Sequence, residues 1–352
     1  MPQLSGGGAE RVILNILDSL HSKNYHTCLI VLKLEGPLVD LIPKGLEVHS
    51  LQASSLKGAI APLIGKLRAI NPKVIISTFG YINVVLLAIR FMLPKKTNIW
   101  IREANLPSIS LYNNPYPKLM MFLYRLLYKK ADKVICTSKR MQYELISDFL
   151  VPKTITDILP NSVDIKKIHN SQLPIKRFDN GGVCYVASGR LTFQKGFDHL
   201  LHWFSELKDR QSTLTILGDG ILKDSLIREA ELLDIQSRVK FVGFCDNPWK
   251  WYKGADVFLL SSRWEGMSNS VLEALACNTP VIATEVAGGI KEVAEECKQN
   301  SIIIASDAQQ FIGAMNKVKI KDKNFMLNSL LPERYKKENV VFTIENWLSD
   351  IK

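Results

Sequence analysis

The sequence lacks paired cysteines, a long unbroken apolar run and the bias of a disordered chain. Its six cysteines, Cys28, Cys136, Cys184, Cys245, Cys277 and Cys297, include no Cys-x-x-Cys pair, and most sit inside apolar runs such as KVICTS and GGVCYVAS. That argues against a zinc knuckle or a disulfide framework and points to free thiols in a reducing compartment. No signal peptide opens the chain, and its longest apolar stretches, such as Tyr81 to Leu93, are broken by Asn83 and Arg90. They are too short and too polar to span a bilayer. With 47% hydrophobic and 22% charged residues over 352 positions, the chain is globular and larger than one core usually supports. Two domains in the cytoplasm are expected.

Acidic residues are scarce in the first half. Residues 1–165 hold 20 Lys and Arg against 11 Asp and Glu, whereas the remainder holds 25 against 23, so most of the net charge of +11 sits in the first half. A basic half implies an anionic partner such as an acidic membrane face. The segment PKLMMFLYRLLYKKADK, Pro117 to Lys133, mixes Leu, Met, Phe and Tyr with Lys118, Arg125, Lys129, Lys130 and Lys133. It reads equally as an interfacial amphipathic helix and as a half-buried helix with a basic edge.

Short β-branched runs alternate with helical patterns. TCLIVLKL, KVIISTF, TNIWIRE and DKVICTS precede residue 165, and GGVCYVAS, STLTILGDG, RVKFVGF, DVFLLSS and TPVIAT follow it. This alternation predicts βαβ units and an α/β fold of two Rossmann-like domains, whose parallel sheets face a central cleft. The connection is placed near Val163 to Phe178. The expected divisions are residues 1–165, residues 166–330, and a C-terminal helix at 331–352 that packs back on the first domain.

In WEGMSNSVLEALACNTPVIAT, Glu265 falls in a loop after an apolar strand, and Glu273 eight positions on falls in the first two turns of a helix capped by Ser268, Asn269 or Ser270. Helical side chains lean toward the N-terminus, so both carboxylates can face one space walled by amides at the positive helix end. Taken alone, two glutamates at this spacing are more often solvated surface residues. Arg190 and Lys195, in VASGRLTFQKGFDHLL, lie in the loop after another strand and can clamp a diphosphate. Gly6 to Gly8 in SGGGAERVILNIL permit close approach of backbone to a phosphate or sugar.

GRLTFQKG, LGDG, FVGF, SSRWEGMSNSVLEALACNTPVIAT and AGGIKEV, with GGGAERV, ADKVICTSKRM and LPNSVD, together resemble the family 4 retaining glycosyltransferases of GT-B fold, over nearly the whole chain. The most specific element is Glu-x7-Glu at Glu265 and Glu273. The resemblance implies a hexosyl- or N-acetylhexosaminyltransferase that uses a nucleotide-diphospho-sugar, most commonly a UDP-sugar, on a lipid-linked or polysaccharide acceptor of the lipopolysaccharide type. Arg190 and Lys195 would then hold the donor diphosphate, Glu273 the ribose, and Glu265 the transferred sugar. The amides of Gly266, Met267, Ser268 and Asn269, with Gly7 and Gly8, would complete the donor site. No Asp-x-Asp pair is present for a metal, so no cofactor is expected, and the leaving phosphate itself would deprotonate the acceptor.

The sequence departs from that pattern in three places. Only Met1 to Leu4 precede SGGG, so the first strand is expected to be missing or reduced to a stub, unless the true start lies upstream. None of the six histidines falls in the segment directly after TNIWIRE, which leaves Arg102, Glu103 and Asn105 as the acceptor-side candidates. Asn278 stands where the pattern often has glycine. The missing strand keeps a second reading open, a catalytically silent donor-binding or scaffold protein. A nicotinamide-dependent dehydrogenase is disfavoured because Gly-x-Gly-x-x-Gly is absent, and nucleic-acid binding would rest on charge alone. The leading expectation is an enzyme peripheral to the inner membrane face.

Overall fold

The computed structural model describes every residue except 113, 172–180, 299, 321–327 and 352. The chain divides into two compact units, Met1–Asn161 with Val340–Lys352, and Ser162–Asn339. Part of the connection expected at Val163 to Phe178, residues 172–178, lies outside the described residues.

The first unit holds β1 (Cys28–Val31), β2 (Glu47–Ser50), β3 (Val74–Thr78), β4 (Asn98–Arg102), β5 (Lys133–Cys136) and β6 (Thr156–Ile158). β3 to β6 pair in sequence order as one parallel sheet, and β1 and β2 pair separately. Alternation along the strands sends Ile99, Ile101, Val134 and Cys136 into one core and Trp100 and Ile135 into another. The second core is completed by Val12, Ile16 and Leu20 of the helix Gly8–Ser22 and by Val340, Val341 and Ile344 of the helix Lys337–Ser349. Trp347 of that last helix packs edge-on against Trp100 at 5.9 Å. Burying such side chains contributes about 1.5–3 kcal/mol each, which ties the C-terminal helix to this unit.

Met1–Leu4 forms no strand, yet it lies along the end of β1. The carbonyls of Met1 and Pro2 accept from the amide of Leu32 at 3.1 and 3.0 Å, and Leu4 is fully buried beside Leu29 and Val31. Among the described residues no strand joins β1 to β3.

The second unit holds β7 (Cys184–Ser188), β8 (Thr213–Leu217), β9 (Val239–Gly243), β10 (Val257–Leu260), β11 (Val281–Thr284) and β12 (Ile302–Ala305). They form one parallel sheet in the order β12-β11-β10-β7-β8-β9. The sheet is covered on both faces: Val257 and Leu259 enter one core, Phe258 and Leu260 the other. That double burial explains why the strand reads VFLL with no polar position. β7 and β10 are neighbours although two strands separate them in the chain. The connections from β7 therefore run one way across the sheet and those from β10 the other. Ligands bind in the crevice that opens beyond the carboxyl ends at such a point.

Candidate active site

The two loops that leave this switch point carry the residues singled out above. The first leaves β7 through Gly189, Arg190 and Lys195, and the second leaves β10 through Glu265 and enters the helix Asn269–Ala276. Gly196 brings them together. It adopts φ 63, and a Cβ there would meet the carbonyl oxygen of Ser261 at 2.2 Å, so only glycine allows this approach. Ser261 Oγ in turn donates to the carbonyl of Lys195 at 3.0 Å.

With the loops in contact, Lys195 Nζ lies 2.5 Å from Glu265 Oε1, and their side chains are only 16% and 7% exposed. Ser262 Oγ donates to the same carboxylate oxygen at 2.8 Å. A pair this poorly solvated has lost most of its hydration, and leaving either charge without its partner costs about 3–5 kcal/mol. Behind Glu265, the amide of Gly289 donates to the carbonyl of Gly266 at 2.9 Å, and Thr284 Oγ1 donates to that of Ser262 at 2.7 Å.

Met267 and Ser268 are buried beyond Glu265, and Ser268 is the N-cap of the helix Asn269–Ala276. Its hydroxyl contacts Ser270 Oγ at 3.0 Å and takes none of the first-turn amides, unlike the cap expected from sequence. The positive helix end therefore sits beside the Lys195–Glu265 pair without a side-chain cap. Glu273 is half-buried in the second turn, and Arg190 is exposed at the end of β7. Asn278, after this helix, takes φ 57, a conformation asparagine tolerates. Such an arrangement can hold an anion between a cation and backbone amides, with carboxylates placed to accept from hydroxyls.

The remaining candidates belong to the first unit. Gly7 is the N-cap of the helix Gly8–Ser22, and a Cβ on it would lie 2.2 Å from Glu10 Oε2. Arg102 and Glu103 are buried, 1% and 3% exposed, and Asn105 is half-buried. Glu103 Oε1 accepts from Asn83 Nδ2 at 3.0 Å, from Tyr124 at 3.3 Å and from Tyr128. Burial pushes the Glu103 carboxyl up to about 7, although these hydrogen bonds and the Arg102 charge pull it down. Arg102 donates to Asn161 Oδ1 and is itself lowered to about 10 by burial.

Sequence reasoning missed Ser262 and the Arg263–Asp198 ion pair, since nothing local marks either. The glycines of AGGIKEV have no role assigned from the sequence. Gly288 takes φ 53 directly behind Glu265, and that pair of glycines was the available signal.

Residues 6–167 match the family model described as Glycosyltransferase Family 4, and residues 171–337 match that described as Glycosyl transferases group 1. The chain is 30% identical over 304 residues to the N-acetylgalactosamine-N,N'-diacetylbacillosaminyl-diphospho-undecaprenol 4-alpha-N-acetylgalactosaminyltransferase of Campylobacter jejuni, covering 82% of this chain and 80% of that one. The chain belongs to the family 4 glycosyltransferases of GT-B fold. As a glycosyltransferase of this family, it is also 24% identical to the amylovoran biosynthesis glycosyltransferase AmsD of Erwinia amylovora, over 83% of this chain and 81% of AmsD. Its fold matches that of Anabaena HepE, solved with UDP and glucose, with a TM-score of 0.77 at 19% identity, covering 99% of this chain and 98% of HepE. In this glycosyltransferase the switch-point loops of the second unit are the candidate catalytic centre.

Proposed function

We propose that the enzyme transfers a sugar, with retention of configuration, from a nucleotide-diphospho-sugar, a UDP-sugar first among the candidates, to a lipid-linked or polysaccharide acceptor of cell-surface glycan synthesis. The observation that carries this reading is the Lys195–Glu265 pair, 2.5 Å apart beside the N-terminus of the helix Asn269–Ala276. Cleavage of a glycosyl phosphate places negative charge on the departing diphosphate and positive charge on the sugar carbon. Lys195, Arg190 and the amides of Gly266, Met267, Ser268 and Asn269 act where the negative charge develops. Glu265 faces the sugar, and Glu273 accepts from the ribose hydroxyls. The bond from the sugar carbon to the phosphate oxygen breaks as the acceptor oxygen bonds on the same face, and the acceptor's proton passes to the leaving phosphate. The two side-chain cations make a metal ion unnecessary in this scheme, so a chelator would leave turnover intact.

The Campylobacter relative is named for an undecaprenol-linked acceptor, which supports a lipid-linked acceptor here. Membrane attachment at the inner face is supported by the helix Pro117–Leu127. It exposes Leu119, Phe122 and Leu126 beside Lys118, Arg125 and the following Lys129, whereas no helix among the described residues is long and apolar enough to cross a membrane. On the first unit, Asn105, Arg102 and Glu103 would shape the acceptor side.

A panel of nucleotide-sugars tested for thermal stabilisation identifies the donor, because a ligand that binds the folded state alone raises the melting temperature. Release of free nucleotide with the best binder, abolished by Lys195→Ala, distinguishes an enzyme from a silent donor-binding protein. A panel that shifts nothing at millimolar concentration overturns the donor assignment.

A further inference from the structure

Arg263 stands two residues before Glu265, has no role among the site residues named so far, and bridges the two site loops. Its Nη1 and Nη2 donate to Asp198 Oδ1 and Oδ2 at 2.9 and 2.5 Å, and Nη1 also donates to the carbonyl of Phe193 at 2.7 Å. The guanidinium carbon lies over the Phe193 ring, 3.9 Å from its centroid. Since a guanidinium can only donate, His199 Nε2, 2.8 Å from Nη2, accepts. The backbone repeats the tie: Arg263 N donates to the carbonyl of Gln194 at 2.8 Å, and Gln194 Nε2 donates to that of Trp264 at 3.0 Å. Phe193 and Gln194 immediately precede Lys195.

An ion pair in open solvent holds little in place. This one is bidentate and lies against an aromatic ring, and the Arg263 side chain is 16% exposed. Burial works against ionisation of Asp198, but the hydrogen bonds and charge of Arg263 hold its carboxyl below the usual carboxylate range. Lysine could not reproduce these contacts, because a point charge cannot fork to a carboxylate, reach a carbonyl and stack at once.

We propose that Arg263, braced by Asp198, is a positioning residue that holds the loop bearing Lys195 against the loop bearing Glu265. It acts through Lys195 and touches no donor atom itself; this rests on the reading of Lys195 as the diphosphate ligand. Phe193, 60% exposed, supplies a ring face against the guanidinium.

The test is a double-mutant comparison with UDP as the probe and ADP and GDP as alternates, read by calorimetry on wild type, Arg263→Ala, Arg263→Lys, Lys195→Ala and Lys195→Ala/Arg263→Ala. Misplacing a group by about 1 Å can cost on the order of 100-fold. Arg263→Ala is therefore expected to weaken UDP tenfold or more and Arg263→Lys to weaken it less. Adding Arg263→Ala to Lys195→Ala should bring no further loss. Uridine, which lacks phosphate, should bind wild type and Arg263→Ala alike. An equal loss from Arg263→Ala with and without Lys195, or no loss at all, overturns the proposal. If wild type binds none of the three diphosphates, the donor reading fails on its own, and crystal structures of Arg263→Ala and Arg263→Lys decide the positioning role. A Lys195–Glu265 separation still at 2.5 Å in both would overturn it, and an opened pair would support it.

Discussion

A Cβ placed on Gly288 would come within 2.3 Å of the carbonyl oxygens of both Glu265 and Gly266. The loop after β11 thus forms a floor directly under the Glu265 turn, and it approaches so closely only because Gly288 has no side chain and takes φ 53. Gly288→Ala is expected to lose about 3 kcal/mol of stability, from strained backbone and overpacking together. It should also weaken donor-induced stabilisation, because the Glu265 turn must shift. Chemical denaturation with and without the best nucleotide-sugar reads both effects, and an unchanged midpoint would contradict the contact.

Lys195→Ala and Glu265→Gln separate two roles. Removing Lys195 leaves a buried carboxylate with Ser262 near it, so a loss of about 3 kcal/mol or more in stability should accompany a rate loss of about 100-fold or greater. Glu265→Gln keeps the shape and leaves an amide oxygen to accept from Lys195, which at 16% exposure is better solvated than the 7%-exposed carboxylate. It should therefore fold better than Lys195→Ala while still losing activity. Turnover assays alongside melting curves check the ordering.

Glu103 makes stability depend on pH. Its carboxyl titrates near 7 in the folded protein against an ordinary value of 4.5, so between these values the folded state holds more protons than the unfolded state. Its stabilising contribution is full below about pH 4.5 and is lost as pH rises through 7, a change of about 3 kcal/mol. Glu103→Gln is neutral throughout and accepts from the same donors. The difference in melting temperature, variant minus wild type, should therefore climb from pH 5 to pH 8, and a flat difference would show that Glu103 ionises freely.

Phe122, 61% exposed, and Leu119, 54% exposed, give the membrane reading its test. Leu119→Asp/Phe122→Asp should fold normally and lose binding to phosphatidylglycerol vesicles in a co-sedimentation assay. Lys118→Ala and Lys129→Ala should each weaken binding about fivefold at low salt, an effect that disappears at high salt. Equal and weak binding of wild type to neutral and anionic vesicles would remove the membrane from the scheme.

Much of the fold was legible because strands buried on both faces leave an apolar, β-branched signature, as in VFLL and TLTIL. β2 and β6 went unread because they lack that signature: β2 has no buried position and β6 is three residues long, whereas β12, reading IIIA, carries the signature and was still not read as a strand. Local chemistry also placed Glu265 in a loop and Glu273 in the following helix, since an apolar strand, a glycine turn and polar N-cap residues are short-range signals.

What the sequence by itself determined was the set of reactive residue types and the loops that carry them. That Lys195 meets Glu265, 70 positions away, was decided by the order of strands in the sheet, which makes β7 and β10 neighbours. The Arg263 fork to Asp198 and the burial of Glu103 among Asn83, Tyr124 and Tyr128 were decided the same way. Hydrogen bonds and desolvation act over a few ångströms in space, and no spacing along the chain records which side chains will come that close.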